Sequence, residues 1–503
     1  MRKYEKNQIM AVIYALINAN ERICMKLKNK QYDNLYVVLE ECQGAAIEIG
    51  EYLEKMQDAI EDVVRLLENY CELIYKTAVF LNKKEYVGAR VCLTKVQDTL
   101  NCIVDEMLKI KAEKVKVLFL PYKKEMWTSM ESIYDAFCMD DNFDTKVMPI
   151  PYYDIGDYKN RVYCYEGERF NQDVHFAYYE EYCLEKEHPE VIFIHNPYDQ
   201  TNSLTQVDEK YYAVNLKGNT ECLVYSPYFT YGTYTPGYSE FLYVNPATLI
   251  ADKIVVQSEK VKKIFCDLDI EEEKLMVLGT PKTDAVINKI KQVEIPAEWK
   301  EKIQNKKVFL LNTHLSYFGV TYENREKNGN VGIKMHNEIF DAIVDKEDVA
   351  LIWRPHPLMF AMLRDRFPEC LEYANELLRR IKNSKNCVVD MQTDYMPAFS
   401  CSDAMISTWS SLINEYMITG KPVMIFQRQM EEKVRNISPI DRGLNYFRFG
   451  KNRISFNKYI EMVKKGEDPI KNERMEMINK AFLNLDGTVG EKIYEQIRKE
   501  FEE

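Results

Sequence analysis

Apolar side chains recur at helical spacing along the first 112 residues. Ile9, Ile13 and Leu16 form one such series, three or four residues apart, which places them on one face of a helix. The segment contains no proline, and the pattern breaks near Gln31 and near Asn82. We therefore predict an all-α module of three or four long helices, arranged as a bundle or a hairpin.

From Val115 onward, short continuous apolar runs alternate with helical stretches. Such runs are typical of strands that a parallel sheet buries on both faces, and the alternation indicates βαβ units. The first series of predicted strands comprises Val115–Leu120, Lys146–Ile150, Val191–Ile194, Cys222–Tyr225, Lys253–Gln257 and Leu275–Leu278. The second series comprises Val308–Asn312, Val349–Trp353, Cys387–Asp390, Ala404–Ser407 and Pro422–Phe426.

The two series predict an α/β fold with two Rossmann-like domains in tandem. We place the helical module at residues 1–112, the first α/β domain at 113–288, the second at 289–475 and a terminal helix at 476–503. In doubly wound folds, ligands bind outside the carboxyl ends of the strands. Candidate functional residues are therefore sought where the predicted strands end.

The composition of the 503-residue chain is that of an ordinary globular protein, with 46% apolar and 29% charged residues. Its 67 basic and 79 acidic side chains leave a net charge of −12. This balance disfavours nucleic-acid binding, because neutralising phosphates needs surplus Lys and Arg. No apolar run reaches the roughly 20 residues of a membrane helix, and the first residues lack a secretory pattern, so we expect a cytoplasmic protein.

The first thirty residues carry seven basic and only two acidic side chains. A basic amphipathic face suits the anionic inner surface of a cell membrane. A helical bundle is equally suited to packing or to forming a homo-oligomer. The module is therefore predicted either to pack or oligomerise, or to hold the protein peripherally at the membrane.

Neither the cysteines nor the histidines have the spacing of a metal site. The thirteen cysteines include no Cys-x-x-Cys pair, and the six histidines include no His-x-x-x-His pair. The Gly-x-Gly-x-x-Gly and P-loop motifs are absent as well. We therefore expect no metal and no resident cofactor.

An arginine and a histidine follow a predicted buried strand directly. Arg354 and His356 alternate with prolines, which stiffen the exit from the strand. At the carboxyl edge of a parallel sheet, the planar guanidinium matches phosphate oxygens, and the imidazole donates a hydrogen bond to them or acts as an acid. A donor-phosphate site is the functional interpretation, and a structural pair that caps the strand end is the alternative.

A cluster of hydroxyl side chains follows the next strand but one, where a helix begins. Thr408, Ser410 and Ser411 belong to it. Helix starts bind phosphate through their N–H groups, but they also favour hydroxyl side chains as caps. We predict phosphate contacts for these three residues, since a cap needs only one or two hydroxyls. Glu415, one turn later, is predicted to accept hydrogen bonds from ribose hydroxyls or to lie in solvent.

The turn Gly279-Thr280-Pro281-Lys282 links a predicted strand to a helix. Glycine permits the tight turn, and Lys282 is a candidate partner for an anion of the donor nucleotide. The pattern is weak by itself, because Gly-x-Pro turns are common between elements.

Three polar residues, His195, Asn196 and Asp199, follow a buried strand of the first series. A histidine beside a carboxylate can be oriented as a general base, whereas a histidine that is satisfied within the core is the alternative. Tyr228 and Tyr231 lie in a tyrosine-rich stretch. Their apolar faces and polar tips suit a polyol acceptor, and core packing is equally consistent with them.

The order of these motifs resembles the CDP-glycerol glycerophosphotransferase family of teichoic acid synthesis. The shared pattern is Gly-x-Pro-x-x-Asp, then Arg-x-His-Pro, then a Ser/Thr cluster that leads to Gly-Lys-Pro. The resemblance implies a GT-B fold of two Rossmann-like domains, the second of which holds CDP-glycerol as substrate. It also implies that His356, Ser410 and Ser411 contact the donor diphosphate and that Arg354 supports them.

Two positions depart from the pattern of that family. Thr408 stands where the family has an aspartate, and the strand that ends at Tyr225 continues into Ser226 and Pro227 instead of His-Gly-Thr. His195, on the preceding strand, is the predicted substitute for the family's catalytic base. His356 is the second predicted catalytic residue.

The resemblance implies transfer of a phosphopolyol, such as glycerophosphate, from a CDP-activated donor to a hydroxyl of a lipid-linked glycan acceptor. Such chemistry depends mainly on positioning and on charge stabilisation at the diphosphate. Two alternatives stay open: a GT-B glycosyltransferase that uses a nucleotide sugar, and a non-catalytic scaffold of an envelope-polymer complex.

Overall fold

The computed structural model describes residues 1–55, 60–110, 113–155, 161–170, 174–202, 205–232, 234, 236–313, 331–356, 359–392, 394–408, 410, 412–428, 445–449 and 453–502. The chain divides into two compact units, Met1–Val115 and Lys116–Glu503. The first unit is all-α, and the second contains the strands.

The first unit contains four long helices. They are α1 (Lys3–Lys28), α2 (Leu35–Glu54), α3 (Glu61–Asn82) and α4 (Tyr86–Lys109). Their inner faces are apolar at the predicted spacing, and Ile13, Leu93 and Ile103 are fully buried between them. The predicted helical module and its breaks near Gln31 and Asn82 are confirmed.

The second unit contains fifteen strands in the described ranges. They are β1 (Val115–Leu120), β2 (Phe143–Val147), β3 (Tyr152–Asp154), β4 (Val162–Cys164), β5 (Val191–Ile194), β6 (Thr205–Val207), β7 (Cys222–Tyr225), β8 (Lys253–Val256), β9 (Leu275–Val277), β10 (Lys307–Thr313), β11 (Val349–Pro355), β12 (Cys387–Val389), β13 (Ala404–Ser407), β14 (Val423–Arg428) and β15 (Tyr446–Phe449). β1 begins at the last residue of the first unit.

Helices connect most of these strands. They are α5 (Glu131–Cys138), α6 (Leu184–Glu187), α7 (Ala213–Lys217), α8 (Pro246–Ile250), α9 (Glu259–Asp267), α10 (Pro281–Lys289), α11 (Ala297–Ile303), α12 (Val331–Ile343), α13 (Met359–Arg366), α14 (Pro368–Asn383), α15 (Met396–Cys401), α16 (Leu412–Ile418), α17 (Phe456–Lys464), α18 (Lys471–Ala481) and α19 (Val489–Glu502). No helix in the ranges described combines the length and apolar character needed to cross a membrane.

Two six-stranded sheets organise the second unit. The first has the order β2-β1-β5-β7-β8-β9 and the second the order β12-β11-β10-β13-β14-β15. Every pair in the second sheet is parallel, as are the pairs from β1 to β9 in the first. A small antiparallel sheet, β4-β3-β6, accompanies them. The predicted fold class is confirmed: two Rossmann-like domains in a GT-B arrangement, preceded by an all-α bundle.

The strand order of each sheet reverses at one position, which is where doubly wound folds bind their ligands. In the first sheet this switch point lies between β1 and β5, and in the second it lies between β10 and β13. The strands there are mostly buried, as their apolar runs predict; all four residues of β5 are buried. A ligand site is therefore expected at the strand ends beside these two switch points.

The end of the chain returns to the first sheet. The N–H of Leu483 donates to the carbonyl of Gln257, and the Asn484 side chain donates to the carbonyl of Leu278. Gly279 has a φ of +109°, and a Cβ there would lie 2.5 Å from the carbonyl oxygen of Leu483. The glycine of the Gly-x-Pro turn is thus required by the close approach of the terminal segment.

The terminal segment predicted as one helix at 476–503 is helical, but two helices occupy it. α18 ends at Ala481, α19 begins at Val489, and Gly487 between them has a φ of +84°. The predicted strand at residues 146–150 is displaced, since β2 spans residues 143–147. Both sheets belong to one compact unit, so the domain boundary near residue 288 stays a prediction.

Candidate functional site

The Arg-x-His and Ser/Thr motifs lie on either side of β10, at the switch point of the second sheet. In register, Asn312 of β10 pairs with Arg354 of β11 on one side and with Ser407 of β13 on the other. One residue further on, the N–H of His356 donates to the carbonyl of Thr313 (3.0 Å). The N–H of Thr408 donates to the carbonyl of Asn312 (3.3 Å). The fold therefore brings two motifs that are some fifty residues apart in sequence to the end of one strand.

Arg354 is held by an acidic side chain from the next strand. Its Nη1 donates to Asp390 Oδ2 (2.5 Å) and to the backbone carbonyl of Asp394 (3.2 Å). Its guanidinium lies 6.0 Å from the ring centroid of Tyr395. Burial raises the pKa of Asp390, and the positive charge of Arg354 partly offsets that rise. The guanidinium is thus fixed in place at the carboxyl edge of the sheet.

The hydroxyl cluster makes hydrogen bonds within the protein. Asn312 Nδ2 donates to Ser407 Oγ (3.1 Å), which donates to the carbonyl of Thr408 (2.7 Å). Ser410 Oγ accepts a hydrogen bond from the N–H of Leu412 (3.2 Å), so Ser410 caps α16. Thr408 is buried, and Ser411 lies outside the described residues. The phosphate contacts predicted for Thr408, Ser410 and Ser411 stay predictions.

Lys282 and Glu415 contact each other. Lys282 Nζ lies 3.3 Å from Glu415 Oε1, and their side chains are 7% and 8% exposed. Lys282 comes from α10, which follows the last strand of the first sheet, and Glu415 from α16 of the second. The second carboxylate oxygen of Glu415 accepts a hydrogen bond from the hydroxyl of Tyr395. The structure thus brings the two residues predicted for the nucleotide into one buried ion pair.

His195 lies at the switch point of the first sheet, fully buried. Its Nε2 accepts a hydrogen bond from the N–H of Tyr122 (3.3 Å), and its Nδ1 lies 3.2 Å from Ser129 Oγ. Ser129 Oγ donates to the carbonyl of Met126, so the histidine Nδ1 is the donor in the second contact. Burial lowers the pKa of His195 to about 3. A neutral imidazole whose nitrogens are both in use does not favour the predicted role of base.

Asn196 and Asp199 support a turn beside His195. Asn196 Nδ2 donates to Asp199 Oδ1 (3.0 Å), and Asp199 Oδ2 accepts from the N–H of Ala213 (2.9 Å) at the start of α7. Burial raises the pKa of Asp199 to about 6. Both side chains are buried, and these contacts are those of a structural turn. The acceptor roles predicted for them stay untested.

The two selected tyrosines lie in the aromatic region of the first sheet. The Tyr228 ring is 6.0 Å from the His195 ring, and burial raises the pKa of Tyr228 to about 12. Tyr231 is buried, and its ring is 4.8 Å from that of Tyr243. Tyr231 therefore packs in the core, while Tyr228 is partly exposed.

Three residues of this site were not found from the sequence: Asn312, Asp390 and Tyr395. Asp390 is the last residue of a predicted strand, and Asn312 is the last residue of another. Both therefore carried a signal, because strand ends meet at one edge of a parallel sheet. What the sequence lacked was the strand order, which places β12 next to β11 and β10 next to both motifs.

A doubly wound sheet with Arg354, His356 and Ser407 at its switch point defines an α/β protein of the class that binds ligands at the carboxyl ends of its strands. The model of one family, described as CDP-Glycerol:Poly(glycerophosphate) glycerophosphotransferase, matches residues 244–499. The chain belongs to this family. The matched range contains the whole second sheet and both motifs beside β10.

Individual relatives are distant in sequence. The teichoic acid poly(ribitol-phosphate) polymerase of Bacillus spizizenii is 21% identical over 263 residues, which are 49% of this chain and 37% of that protein. The chain thus matches little more than a third of this curated relative. A UDP-N-acetylglucosamine 2-epimerase structure has a TM-score of 0.51 at 13% identity, over 78% of this chain and 97% of that one, which supports the fold alone. The wall teichoic acid polymerase TagF has a TM-score of 0.48 at 13% identity, over 86% and 98%.

Proposed function

We propose that this protein transfers a phosphopolyol, such as glycerophosphate, from a CDP-activated donor to a hydroxyl acceptor during the synthesis of a teichoic-acid-like polymer. One observation carries the proposal: within the range that matches the family, His356 and Thr408 are each bonded to the end of β10. The two motifs of the proposed diphosphate site are thereby adjacent at the switch point.

In the proposed reaction, the acceptor hydroxyl oxygen attacks the phosphorus that bears the polyol. A new P–O bond forms, the bond to the bridging oxygen breaks, and CMP leaves with that oxygen. Negative charge grows on the leaving phosphate, and cations placed beforehand stabilise it most effectively. Arg354 and His356 would supply this stabilisation, and the hydroxyls of Thr408, Ser410 and Ser411 would add hydrogen bonds to the diphosphate.

The acceptor must lose a proton in this reaction, and His195 is not placed to receive it as the structure stands. Both of its ring nitrogens are engaged with Tyr122 and Ser129. His195 would serve as base only if it exchanged one of these partners for the acceptor. His356, which is half-buried beside β10, is the other histidine predicted to be catalytic.

The test of the proposal is turnover of CDP-glycerol with a lipid-linked glycan acceptor, followed as CMP release. We expect His356→Ala to lower kcat/KM by about 100-fold or more, the usual scale for removing a group that stabilises transferred charge. His188→Asn is the matched control, because it removes an imidazole from the end of α6, shortly before β5 and far in sequence from both motifs. Wild-type protein that binds CDP-glycerol but never releases CMP would contradict the proposal.

The alternative of a glycosyltransferase that uses a nucleotide sugar has the same fold. Ligand-induced changes in melting temperature distinguish it from the proposed transferase. A ligand that binds the native state raises the melting temperature, so CDP-glycerol should do so while UDP-sugars should not. The reverse result would favour a glycosyltransferase.

A non-catalytic scaffold is the second candidate, and the engaged ring of His195 favours it. A scaffold would bind its envelope-polymer partner equally well with and without His356, and the wild-type protein would show no transfer.

Chelator treatment belongs to the transfer assay, since the proposal includes no metal and no resident cofactor and predicts unchanged activity. The proposed acceptor also places the protein at the inner face of the membrane, where liposome co-sedimentation would show a dependence on anionic lipid.

A further inference from the structure

Four side chains form a continuous line of contacts from the first sheet's last helix to the proposed diphosphate site. The line, called here the buried bridge, consists of Lys282, Glu415, Tyr395 and Arg354. It begins where Lys282 Nζ lies 3.4 Å from Thr128 Oγ1 and 3.3 Å from Glu415 Oε1. It ends where the guanidinium of Arg354 lies 6.0 Å from the ring centroid of Tyr395.

Each contact in the buried bridge restricts the next. Glu415 uses one oxygen for the ammonium of Lys282 and the other for the hydroxyl of Tyr395. Burial, and then the charge of Glu415, raise the pKa of Tyr395 well above its usual value, so the phenol stays protonated and remains a donor. The centroid of the Tyr395 ring, whose hydroxyl is bonded to Glu415, lies 6.0 Å from the guanidinium carbon of Arg354. Asp390 bonds to the same guanidinium.

Stability alone is a poor explanation for the ion pair in this line. Taking two charges out of water costs about as much as their attraction returns, so buried pairs are often replaceable by apolar residues without loss. The pair also joins α10, which follows the first sheet, to α16, which belongs to the second. A contact of this kind can make the geometry of a site on the second sheet depend on the position of α10.

We infer that Lys282 and Glu415 are positioning residues for Arg354, so that the proposed diphosphate site is complete only when Lys282 of α10 is paired with Glu415 of α16. The inference rests on the proposed function, since it names how that donor site is assembled. It assigns Lys282 and Glu415 to the geometry of the phosphate-binding guanidinium rather than to direct contact with the nucleotide.

The test compares donor affinity and turnover in variants at both ends of the bridge. Tyr395→Phe removes the hydroxyl that bonds to Glu415 while leaving the ion pair, and Lys282→Met removes the pair. We expect each variant to raise the Kd for CDP-glycerol about tenfold, the effect of losing one charge-assisted contact, and to lower kcat/KM at least as much, because Arg354 also stabilises the leaving phosphate. Lys282→Arg keeps a cation and should restore most of the affinity.

Two further variants keep the test decisive. Lys282→Met leaves Glu415 as an unpaired buried charge, which can unfold a protein, so Lys282→Met is also combined with Glu415→Gln. The control is Lys307→Met, which removes an ion pair with Asp403 (2.9 Å) at the opposite end of β10. We expect wild-type KM for the control.

Three results would overturn the inference. Variants of Lys282 and Tyr395 that melt earlier but keep the wild-type KM would show that the bridge is only structural. A fall in kcat at unchanged Kd for CDP-glycerol would show that the bridge does not assemble the donor site. Wild-type protein that neither binds nor turns over CDP-glycerol would remove the proposed function itself, an outcome that the wild-type titration alone distinguishes from the other two.

Discussion

Three buried polar residues at the first switch point, His195, Asn196 and Asp199, are hydrogen-bonded to the protein. His195 is held on both sides of its ring, and the carboxylate of Asp199 bonds to Asn196 and to the start of α7. Such groups are costly to bury unless every polar atom has a partner. At residue scale, His195, Asn196 and Asp199 therefore have the contacts of satisfied core residues, while the guanidinium of Arg354 lies beside the end of β10.

The low pKa of His195 makes the stability of the fold depend on pH. Burial lowers that pKa to about 3, whereas an unfolded histidine titrates near 6.5. Between these values the unfolded chain binds the extra proton, so stability falls as the pH falls from about 6.5 toward 3. The full difference amounts to about 5 kcal/mol. His195→Gln cannot take up a proton, and we expect its stability to decline less over that range.

Urea unfolding of both proteins at pH 7.5, 6, 5 and 4 measures this effect. At pH 7.5 the Gln variant should be less stable by about 1–3 kcal/mol, because it reproduces the two hydrogen bonds imperfectly. The gap should narrow as the pH falls. A gap that is the same at every pH would mean that His195 becomes charged in the folded protein at an ordinary pKa.

Gly279 is a position where the backbone admits no side chain. Its φ is +109°, and a Cβ would lie 2.5 Å from the Leu483 carbonyl oxygen and 2.9 Å from Val489 Cγ2. We expect Gly279→Ala to lower the free energy of unfolding by about 2 kcal/mol or more, from backbone strain and displacement of the terminal segment. Gly218→Ala is the control, since that glycine has a φ of −72° and nothing within 4 Å of a Cβ. Equal losses in the two variants would contradict this account.

At the scale of elements, two glycines of the helical unit differ in what surrounds them. A Cβ on Gly44, in the middle of α2, would meet nothing within 4 Å. A Cβ on Gly88, near the start of α4, would lie 2.7 Å from Phe80 Cδ1. Alanine loses less conformational freedom than glycine when a helix forms. The surroundings of each glycine therefore decide whether its replacement by alanine stabilises the helix.

We expect Gly44→Ala to raise the free energy of unfolding of the helical unit by about 0.5–1 kcal/mol. Gly88→Ala should gain less or lose stability, because Phe80 must move to admit the methyl group. Thermal unfolding followed by circular dichroism compares the two variants with wild type. A larger gain for Gly88→Ala would be inconsistent with the packing of α3 against α4.

The elements that sequence predicts correctly share one property: a single dominant period. β5 and β7 are unbroken apolar runs, β1 and β13 each contain one polar residue, and α9 has a clear amphipathic face, so their bounds match. The strands of the small antiparallel sheet are missed. β3 reads Tyr-Tyr-Asp and β4 Val-Tyr-Cys, and three of these six residues are exposed while only one is buried. Too short to show an alternation, they are defined by pairing between distant segments, which no local pattern contains.

The candidate site was predictable to a similar extent. Arg354 and His356 were expected at a carboxyl strand end, and they are there, because a strand followed by polar residues is a local pattern. Their surroundings depend on strand order, which brings Asp390 beside Arg354. The ion pair of Lys282 with Glu415 depends on how α10 meets α16, and that packing is decided by the whole unit rather than by either segment.

At the scale of the whole α/β unit, the helix α19 packs back onto the region of the first sheet. α19 packs against α5, beside the first sheet, and the Tyr494 hydroxyl donates to Asp140 Oδ2 (2.6 Å). The N-terminus of α19 is bound by Asp284 of α10, whose Oδ1 accepts from the N–H of Val489 (3.2 Å) and whose Oδ2 accepts from the N–H of Gly490 (2.8 Å). The aspartate of the Gly-x-Pro-x-x-Asp motif thus ties the end of the chain to the helix that also carries Lys282.

Removing this tie should loosen α19 more than removing a similar carboxylate in solvent. We expect Asp284→Ala to lower the free energy of unfolding by about 2 kcal/mol, because its hydrogen bonds to α19 are lost. Part of that loss is offset, since burying this carboxyl is itself costly and raises its pKa. Limited proteolysis should then cut the segment between α18 and α19 sooner. Asp486→Ala is the matched control: this exposed carboxylate bonds to Thr488 and Lys492, and its loss should cost no more than about 1 kcal/mol. Equal protection of the segment in both variants would mean that packing against α5 alone holds α19, without the carboxylate.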